Sequence, residues 1–86
     1  MASKTVIVGS AVGLHARPAA IIAEAAQEYD DDITLSVAGG DPVDAASPLM
    51  IMTLGAEKGH EVTVESDNAE AVDEIAGLIE KDLDAE

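Results

Sequence analysis

The 86-residue sequence contains no cysteine, no tryptophan and no phenylalanine, and its only aromatic residue is Tyr29. Without cysteine, the chain can form neither disulfides nor thiolate metal sites. With one aromatic residue, the core must be built from aliphatic side chains and alanine. The length suffices for one small domain with one core and is too short for two, so we expect a single domain over residues 1–86.

Positive charge is also scarce, since four Lys and Arg face eighteen Asp and Glu and the formal net charge is −14. Nucleic acid is an unfavourable partner for such a chain, because binding to phosphates needs clustered Lys and Arg. An anionic membrane surface is disfavoured for the same reason. Apolar runs fall short of the roughly 20 residues that span a bilayer, and the amino-terminal residues lack the pattern of a signal peptide. We therefore expect a cytoplasmic protein that binds neither nucleic acid nor membrane.

Four strands and three helices are predicted in the order β-α-β-β-α-β-α. The strands are predicted at residues 4–8, 33–37, 42–43 and 61–65, and the helices at 16–29, at 48–54 and after residue 67. Gly39 and Gly40 are typical of a hairpin turn, and Pro42 indicates an edge strand. This order predicts an α+β fold, an open-faced β-sandwich with a four-stranded antiparallel sheet and the three helices on one face.

The helices carry clear local signals. Ala19, Ile22, Ala23 and Ala26 form an apolar stripe on the first, and Val72, Ile75, Ala76, Ile79 and Leu83 form one on the last. Ser47 followed by Pro48 predicts an N-cap and a proline at the first helical position. Asp67 and Glu70, three apart, predict an aspartate variant of the capping box before the last helix.

His15 is the strongest candidate for chemistry. It lies at or just before the start of the first helix, where backbone N–H groups lack intrahelical partners and the helix dipole is positive. An anion on the imidazole could accept hydrogen bonds from the N–H groups of Ala16 and Arg17. Pro18 stiffens this turn, and the Arg17 guanidinium is a forked donor that suits phosphate oxygens. These features favour a phosphate-bearing histidine, although a hydrogen-bonded histidine without chemistry stays open at this point.

The other candidates are weaker. His60, at the start of a strand, is expected to be structural. A zinc site made by His15 with His60 lacks spaced carboxylate partners, so we expect no metal. The run Asp30, Asp31 and Asp32 has no spaced ligand pattern and is expected to form a turn.

Two segments resemble a known family. "GLHARPA", residues 13–19, is similar to the active-site signature of HPr, the histidine-containing phosphocarrier protein of the phosphoenolpyruvate-dependent sugar phosphotransferase system. "VDAASPLMIMTLGAEKGHEVTV", residues 43–64, resembles that family's second characteristic segment. The length and the order of elements also agree, so the resemblance covers essentially the whole chain.

The resemblance implies a function. His15 would accept a phosphoryl group on Nδ1 from phosphorylated Enzyme I and pass it to the IIA component of a sugar permease. Arg17 would hold and release the phosphoryl oxygens, together with the N–H groups of Ala16 and Arg17. The protein would then be a covalent carrier and not an enzyme with a small substrate. We expect no cofactor and a monomer.

Ser47 falls where some members of the family carry a regulatory phosphoserine made by HPr kinase. Helix capping alone also explains a serine there and is the favoured interpretation. Pro48 stands where the family usually has an aliphatic residue, a departure that is expected to impair recognition by the kinase.

The resemblance also implies a docking surface, because the family's fold would bring an apolar group close to His15, formed by Pro48, Leu49, Met50 and Met52. Helical spacing predicts that some of the four face the core instead. Many family members carry lysines on the first helix, where this chain has Ala20, Glu24 and Gln27, so electrostatic steering by that helix is in question.

Two alternatives remain at the level of sequence. The first is a regulatory protein that acts as a corepressor through phosphorylated Ser47, although the intact signature around His15 argues against it. The second is a carrier for a nitrogen-related or glycerone-kinase phosphotransfer branch, in which the chemistry at His15 is unchanged and the partners differ.

Overall fold

The computed structural model describes residues 2–9, 16–38, 40–55, 57 and 59–81. Its strands are β1 (Ala2–Ile7), β2 (Ile33–Val37), β3 (Val43–Asp44) and β4 (Glu61–Ser66), and its helices are α1 (Ala16–Gln27), α2 (Pro48–Thr53) and α3 (Ala69–Glu80). The predicted order of elements is confirmed, with bounds that differ by one or two residues. The predictions for His15, Gly39 and Leu83 lie outside the described residues.

The four strands form one antiparallel sheet in the order β1-β4-β2-β3. β4 lies inside the sheet, so that Val62 is opposite both Val6 and Val37. β3 has two residues and lies at an edge, directly after Pro42. This confirms the edge position, which a proline tolerates because it has no N–H to donate to a neighbouring strand.

The two faces of the sheet differ in polarity. Leu35, Val62 and Val64 are completely buried beneath the helices. On the opposite face, Thr5 and Thr63 are cross-strand neighbours whose hydroxyl oxygens are 2.9 Å apart. The protein is thus an α+β open-faced sandwich, as predicted.

Both long helices bury the predicted apolar stripes. Ala19, Ile22, Ala23 and Ala26 of α1 are buried, as are Val72, Ile75, Ala76 and Ile79 of α3, and Ala71 joins the second group. α1 packs against α2 and α3, and α3 packs on β1 and β4. Bulky aromatic side chains are not needed to fill this core, because the many small alanines let the helices and the sheet pack closely together.

The N-cap of α3 is Asn68, and the prediction of Asp67 is wrong. The Asn68 side-chain oxygen accepts from the backbone N–H groups of Glu70 at 3.0 Å and Ala71 at 3.3 Å. Its amide nitrogen also donates to the Asp31 carboxylate at 3.0 Å. An aspartate can accept as a cap but cannot donate to a second carboxylate, so this tertiary contact favours asparagine.

The chain after α1 forms the predicted acidic turn, which is fastened to α3. α1 ends at Gln27, and residues 28–32 are irregular. The Tyr29 hydroxyl donates to the Glu74 carboxylate at 2.7 Å. That hydrogen bond, together with desolvation and the nearby carboxylates, raises the pKa of Tyr29 to about 12.

Candidate functional site

The first turn of α1 presents Arg17 to solvent on a fixed support. Ala16 and Arg17 are exposed, whereas Pro18 and Ala19 are buried. Backbone N–H groups in a first helical turn lack intrahelical partners, and Pro18 contributes none. The N–H groups of Ala16 and Arg17 are therefore the donors that this helix terminus can offer to an anion.

The electrostatics of this turn differ from those of α3. The described first turn of α1 contains no acidic residue, and the next acid along the helix is Glu24. α3, in contrast, has Glu70 in its first turn in addition to the Asn68 cap. In a chain with eighteen acids, the start of α1 thus keeps its positive dipole and adds the Arg17 guanidinium to it.

α2 is held close to α1 by the segment that precedes it. The Gln27 side-chain amide donates to the carbonyl of Ala46 at 2.9 Å, and Asp44 Oδ1 accepts from the N–H of Ala46 at 2.9 Å. Ser47 is the N-cap of α2, since its hydroxyl accepts from the N–H of Met50 at 3.4 Å. The capping role predicted for Ser47 is confirmed, as is Pro48 at the first helical position.

α2 exposes most of its apolar side chains. Leu49 is 72 % exposed, Met50 42 % and Met52 36 %, while Pro48 is half-buried. The prediction that some of these four face the core named no individual residue; three of them are exposed, and only Pro48 is partly buried. Ile51 is the residue of α2 that is completely buried in the core.

Gly9 was not predicted as a site residue. Its N–H donates to the carbonyl of Ile79 at 3.0 Å. A Cβ on Gly9 would lie 1.8 Å from the carbonyl oxygen of Glu80, so only glycine fits. The end of α3 therefore anchors the chain just ahead of residues 10–15, and a glycine after a β-branched run is a weak sequence signal for that.

His60 has a structural role, as predicted. The imidazole Nδ1 of His60 accepts from the backbone N–H of Glu57 at 3.1 Å, and the backbone N–H of His60 donates to the carbonyl of Glu57 at 3.0 Å. The carbonyl of His60 accepts from the N–H of Val8 at 2.9 Å, which links the turn to β1. Within the described part of the chain, no three His, Asp or Glu side chains are grouped so as to hold a metal ion.

The predicted site residues divide into two groups. Ala16 and Arg17 lie at the start of α1, and Ser47 with the apolar residues lies on the neighbouring α2. His15 directly precedes Ala16 in the sequence and lies outside the described residues. None of the described helices is long and apolar enough to cross a membrane.

Comparisons with known proteins agree with this arrangement. Residues 2–81 match the family model described as PTS HPr component phosphorylation site. The phosphocarrier protein HPr of Streptomyces coelicolor is 44 % identical over 87 residues, covering 98 % of this chain and 94 % of that protein.

Two solved structures from Thermoanaerobacter tengcongensis are similar as well. HPr-C-His is 30 % identical with a TM-score of 0.88, covering 100 % of this chain and 99 % of that one. An HPr dimer is 34 % identical with a TM-score of 0.68, covering 79 % of this chain and 80 % of that one.

An open-faced sandwich with an exposed arginine at an acid-free helix start offers a favourable place for a phosphate group. The chain belongs to the HPr family, the phosphocarrier proteins of the phosphotransferase system that serves sugar transport.

Proposed function

We propose that His15 accepts a phosphoryl group from phosphorylated Enzyme I and passes it to the IIA components of sugar permeases. The supporting observation is the start of α1, where Arg17 is exposed and the first turn contains no acid. His15 directly precedes this turn in the sequence. A phosphoryl group there would gain from the helix dipole, from two backbone donors and from one guanidinium.

The transfer step conserves the high-energy bond. The lone pair on Nδ1 of neutral His15 attacks phosphorus, the N–P bond to the Enzyme I histidine breaks, and the proton on Nε2 of His15 stays in place. Transfer to the IIA histidine is the same kind of exchange with His15 as the donor. A ring nitrogen of the IIA histidine attacks phosphorus, and the N–P bond to His15 breaks. Catalysis consists of in-line positioning between two proteins together with charge stabilisation, so the chain acts as a carrier.

Labelling tests the acceptor directly. The protein is incubated with Enzyme I from the same genome, Mg²⁺ and ³²P-labelled phosphoenolpyruvate. We expect one acid-labile, base-stable phosphate per chain, lost in His15→Ala and retained in His60→Ala, the matched control. Label that survives His15→Ala, or no label with an active Enzyme I, contradicts the proposal.

Arg17→Ala is expected to slow phosphorylation roughly 10- to 100-fold, because a charge-assisted bidentate contact is lost. Arg17→Lys should recover part of the rate, since it keeps the charge but not the fork. Arg17 is exposed, so both variants should unfold at the wild-type urea concentration. Equal rates for the wild type and Arg17→Ala would show that the guanidinium takes no part in phosphoryl transfer.

We further propose that Pro48, Leu49, Met50 and Met52 form the docking surface for Enzyme I and the IIA components. Flexible methionines suit a surface that must accept more than one partner. The exposure of three of these side chains supports the assignment. The assignment requires that a docked partner covers these side chains.

Phosphorylation of Ser47 stays a prediction. Its role as the N-cap accounts for the serine without any modification. Incubation with HPr kinase and ATP tests regulation, with Ser47→Ala as the control for labelling at that residue. The same chemistry at His15 would serve a nitrogen-related or glycerone-kinase branch, and the partners that accept label from the phosphorylated protein decide between the branches.

Residues 1–86 are proposed to act in the cytoplasm as one domain and as a monomer. Solved relatives include dimers, so the oligomeric state is measured. Light scattering with size-exclusion chromatography should give the mass of one chain, 8.8 kDa. A mass twice that value contradicts the monomer.

A further inference from the structure

An uncharged surface lies beside the proposed site in an otherwise acidic protein. The sequence from residue 45 to residue 56 contains no Asp, Glu, Lys or Arg, although the net charge of the chain is −14. This stretch includes all of α2. Three of the large apolar side chains that are exposed among the described residues, Leu49, Met50 and Met52, lie on this one helix.

The flank of α1 next to α2 is uncharged as well. Gln27 faces α2, because its side chain donates to the carbonyl of Ala46. Ala20 lies seven residues earlier and is exposed on the same side of the helix. Ala20 and Gln27 thus extend the uncharged surface of α2 onto the neighbouring side of α1.

Glu24 is the acid at the border of this surface. It is exposed, four residues after Ala20 and three before Gln27, so it neighbours both on the surface of α1. It follows Arg17 by seven residues, which is about 10 Å along the axis. A cation that binds Glu24 would therefore stand about one Debye length from Arg17 at moderate salt, where mutual repulsion is weak.

We infer that the proteins that dock here present an apolar depression bordered by a Lys or Arg that faces Glu24. This inference rests on the proposed function and names the chemistry of its partners. A protein of charge −14, which becomes more negative once phosphorylated, repels an acidic partner at long range. A basic border attracts it, and the apolar centre supplies contact that is independent of charge.

Matched substitutions separate a local contact from the effect of net charge. Glu24→Gln and Glu24→Lys are compared with Glu61→Gln and Glu61→Lys. Glu61 is exposed on the face of the sheet away from the helices, opposite Ile7. The two Gln variants have the same net charge as each other, and so do the two Lys variants. Initial rates of phosphorylation by Enzyme I are measured over a range of salt concentrations.

We expect KM to rise about 3-fold for Glu24→Gln and about 10-fold for Glu24→Lys, with kcat unchanged. The Glu61 variants should shift KM by less than about 2-fold, because their charge lies on the face of the sheet away from the helices. The dependence of KM on salt should weaken in Glu24→Gln and not in Glu61→Gln.

The apolar part has its own pair of variants. Leu49→Ser should raise KM about 10-fold, whereas Ile7→Ser should not, although Ile7 is also exposed, at 49 %. Circular dichroism checks that each variant is folded.

The outcomes distinguish the two levels of the proposal. Equal shifts for the Glu24 and Glu61 pairs would mean that net charge alone acts, and a lower KM for Glu24→Lys would show an acidic partner surface. Either result overturns the inference and leaves phosphorylation of His15 intact. Equal shifts for Leu49→Ser and Ile7→Ser overturn its apolar part. Absence of label in the wild type overturns the proposed function itself.

Discussion

Arg17 and Gly9 show how single residues shape the site. Arg17 is one of four Lys and Arg residues in the chain, and it is exposed in the acid-free first turn of α1, where the helix dipole favours an anion. Gly9 carries no chemistry, yet α3 touches it so closely that no side chain fits. One residue supplies charge and the other fixes where the chain enters residues 10–15.

Gly9→Ala should destabilise the protein by about 1–3 kcal/mol, because the new methyl group overlaps the carbonyl of Glu80 and must displace α3. Gly77→Ala is the matched control. A Cβ on Gly77, within α3, would meet no neighbouring atom, so alanine should stabilise the helix by about 0.5–1 kcal/mol. Urea unfolding measures both. If Gly9→Ala left the free energy of unfolding unchanged, the end of α3 would be able to move aside without loss of stability.

The elements are joined by caps and by hydrogen bonds that cross between helices. Asn68 begins α3 and also holds Asp31 in the turn after α1. Tyr29, from that same turn, bonds to Glu74 on α3. Two contacts thus tie the end of α1 to α3, independently of the buried stripes.

Asn68→Ala should lower the free energy of unfolding by about 1 kcal/mol, the usual cost of losing an N-cap. Asp67→Ala should change it little, because Asp67 is exposed and does not cap the helix. Asn68→Asp should lie between them, since it keeps the acceptor and loses the donor to Asp31. A larger loss in Asp67→Ala than in Asn68→Ala would reverse the assignment of the cap.

Tyr29 offers a direct spectroscopic test, because it is the only tyrosine and the chain has no tryptophan. Its pKa in the folded state, about 12, exceeds the usual value of about 10. The bond to Glu74 therefore contributes stability that is complete below about pH 10 and is lost as the pH rises towards 12. Absorbance of tyrosinate should give the high pKa in the wild type.

Glu74→Gln should move the pKa of Tyr29 back towards about 10, because the charged acceptor is removed. Asp73→Asn, on the same helix, removes a charge without touching the bond and should leave the titration near that of the wild type. Identical curves for the wild type and Glu74→Gln would contradict the hydrogen bond.

The whole molecule is small relative to its charge. It measures 29 × 27 × 20 Å and carries a net charge of −14. At low salt the Debye length is about 30 Å, so the carboxylates repel one another across the entire molecule. Repulsion among the carboxylates therefore opposes the compact state. Burial of the aliphatic core must contribute more free energy than this repulsion removes.

Salt should accordingly stabilise the protein. Raising KCl from about 0.01 M to about 1 M shortens the Debye length to about 3 Å, and we expect the Tm to rise by several degrees. The double variant Glu61→Gln with Glu65→Gln should have a higher Tm at low salt and a smaller rise. A Tm that stays constant or falls with salt would show that local attractions offset the repulsion.

Local patterns predict much of this protein from the sequence. The stripes of α1 and α3, the strands from alternation, the cap at Ser47 and the edge strand after Pro42 each depend on a few neighbouring residues. Steric and hydrogen-bonding rules act at that range, so these predictions are confirmed. The residues proposed for phosphoryl transfer, His15 and Arg17, likewise lie in one short segment at a predicted helix start.

Long-range contacts decide the rest. Asp67 and Asn68 are equally good caps by local rules, and Asp31, far along the chain, favours asparagine. Spacing could not show which apolar residues of α2 face inward, because the position of α1 and the sheet selects Ile51 and leaves Leu49 exposed. The need for glycine at position 9 exists only because α3 returns to touch it. By itself, the sequence determined the elements, their order and the charge around the proposed site. Tertiary packing decided which side chains remain available to a partner, because exposure depends on contacts between segments far apart in the chain.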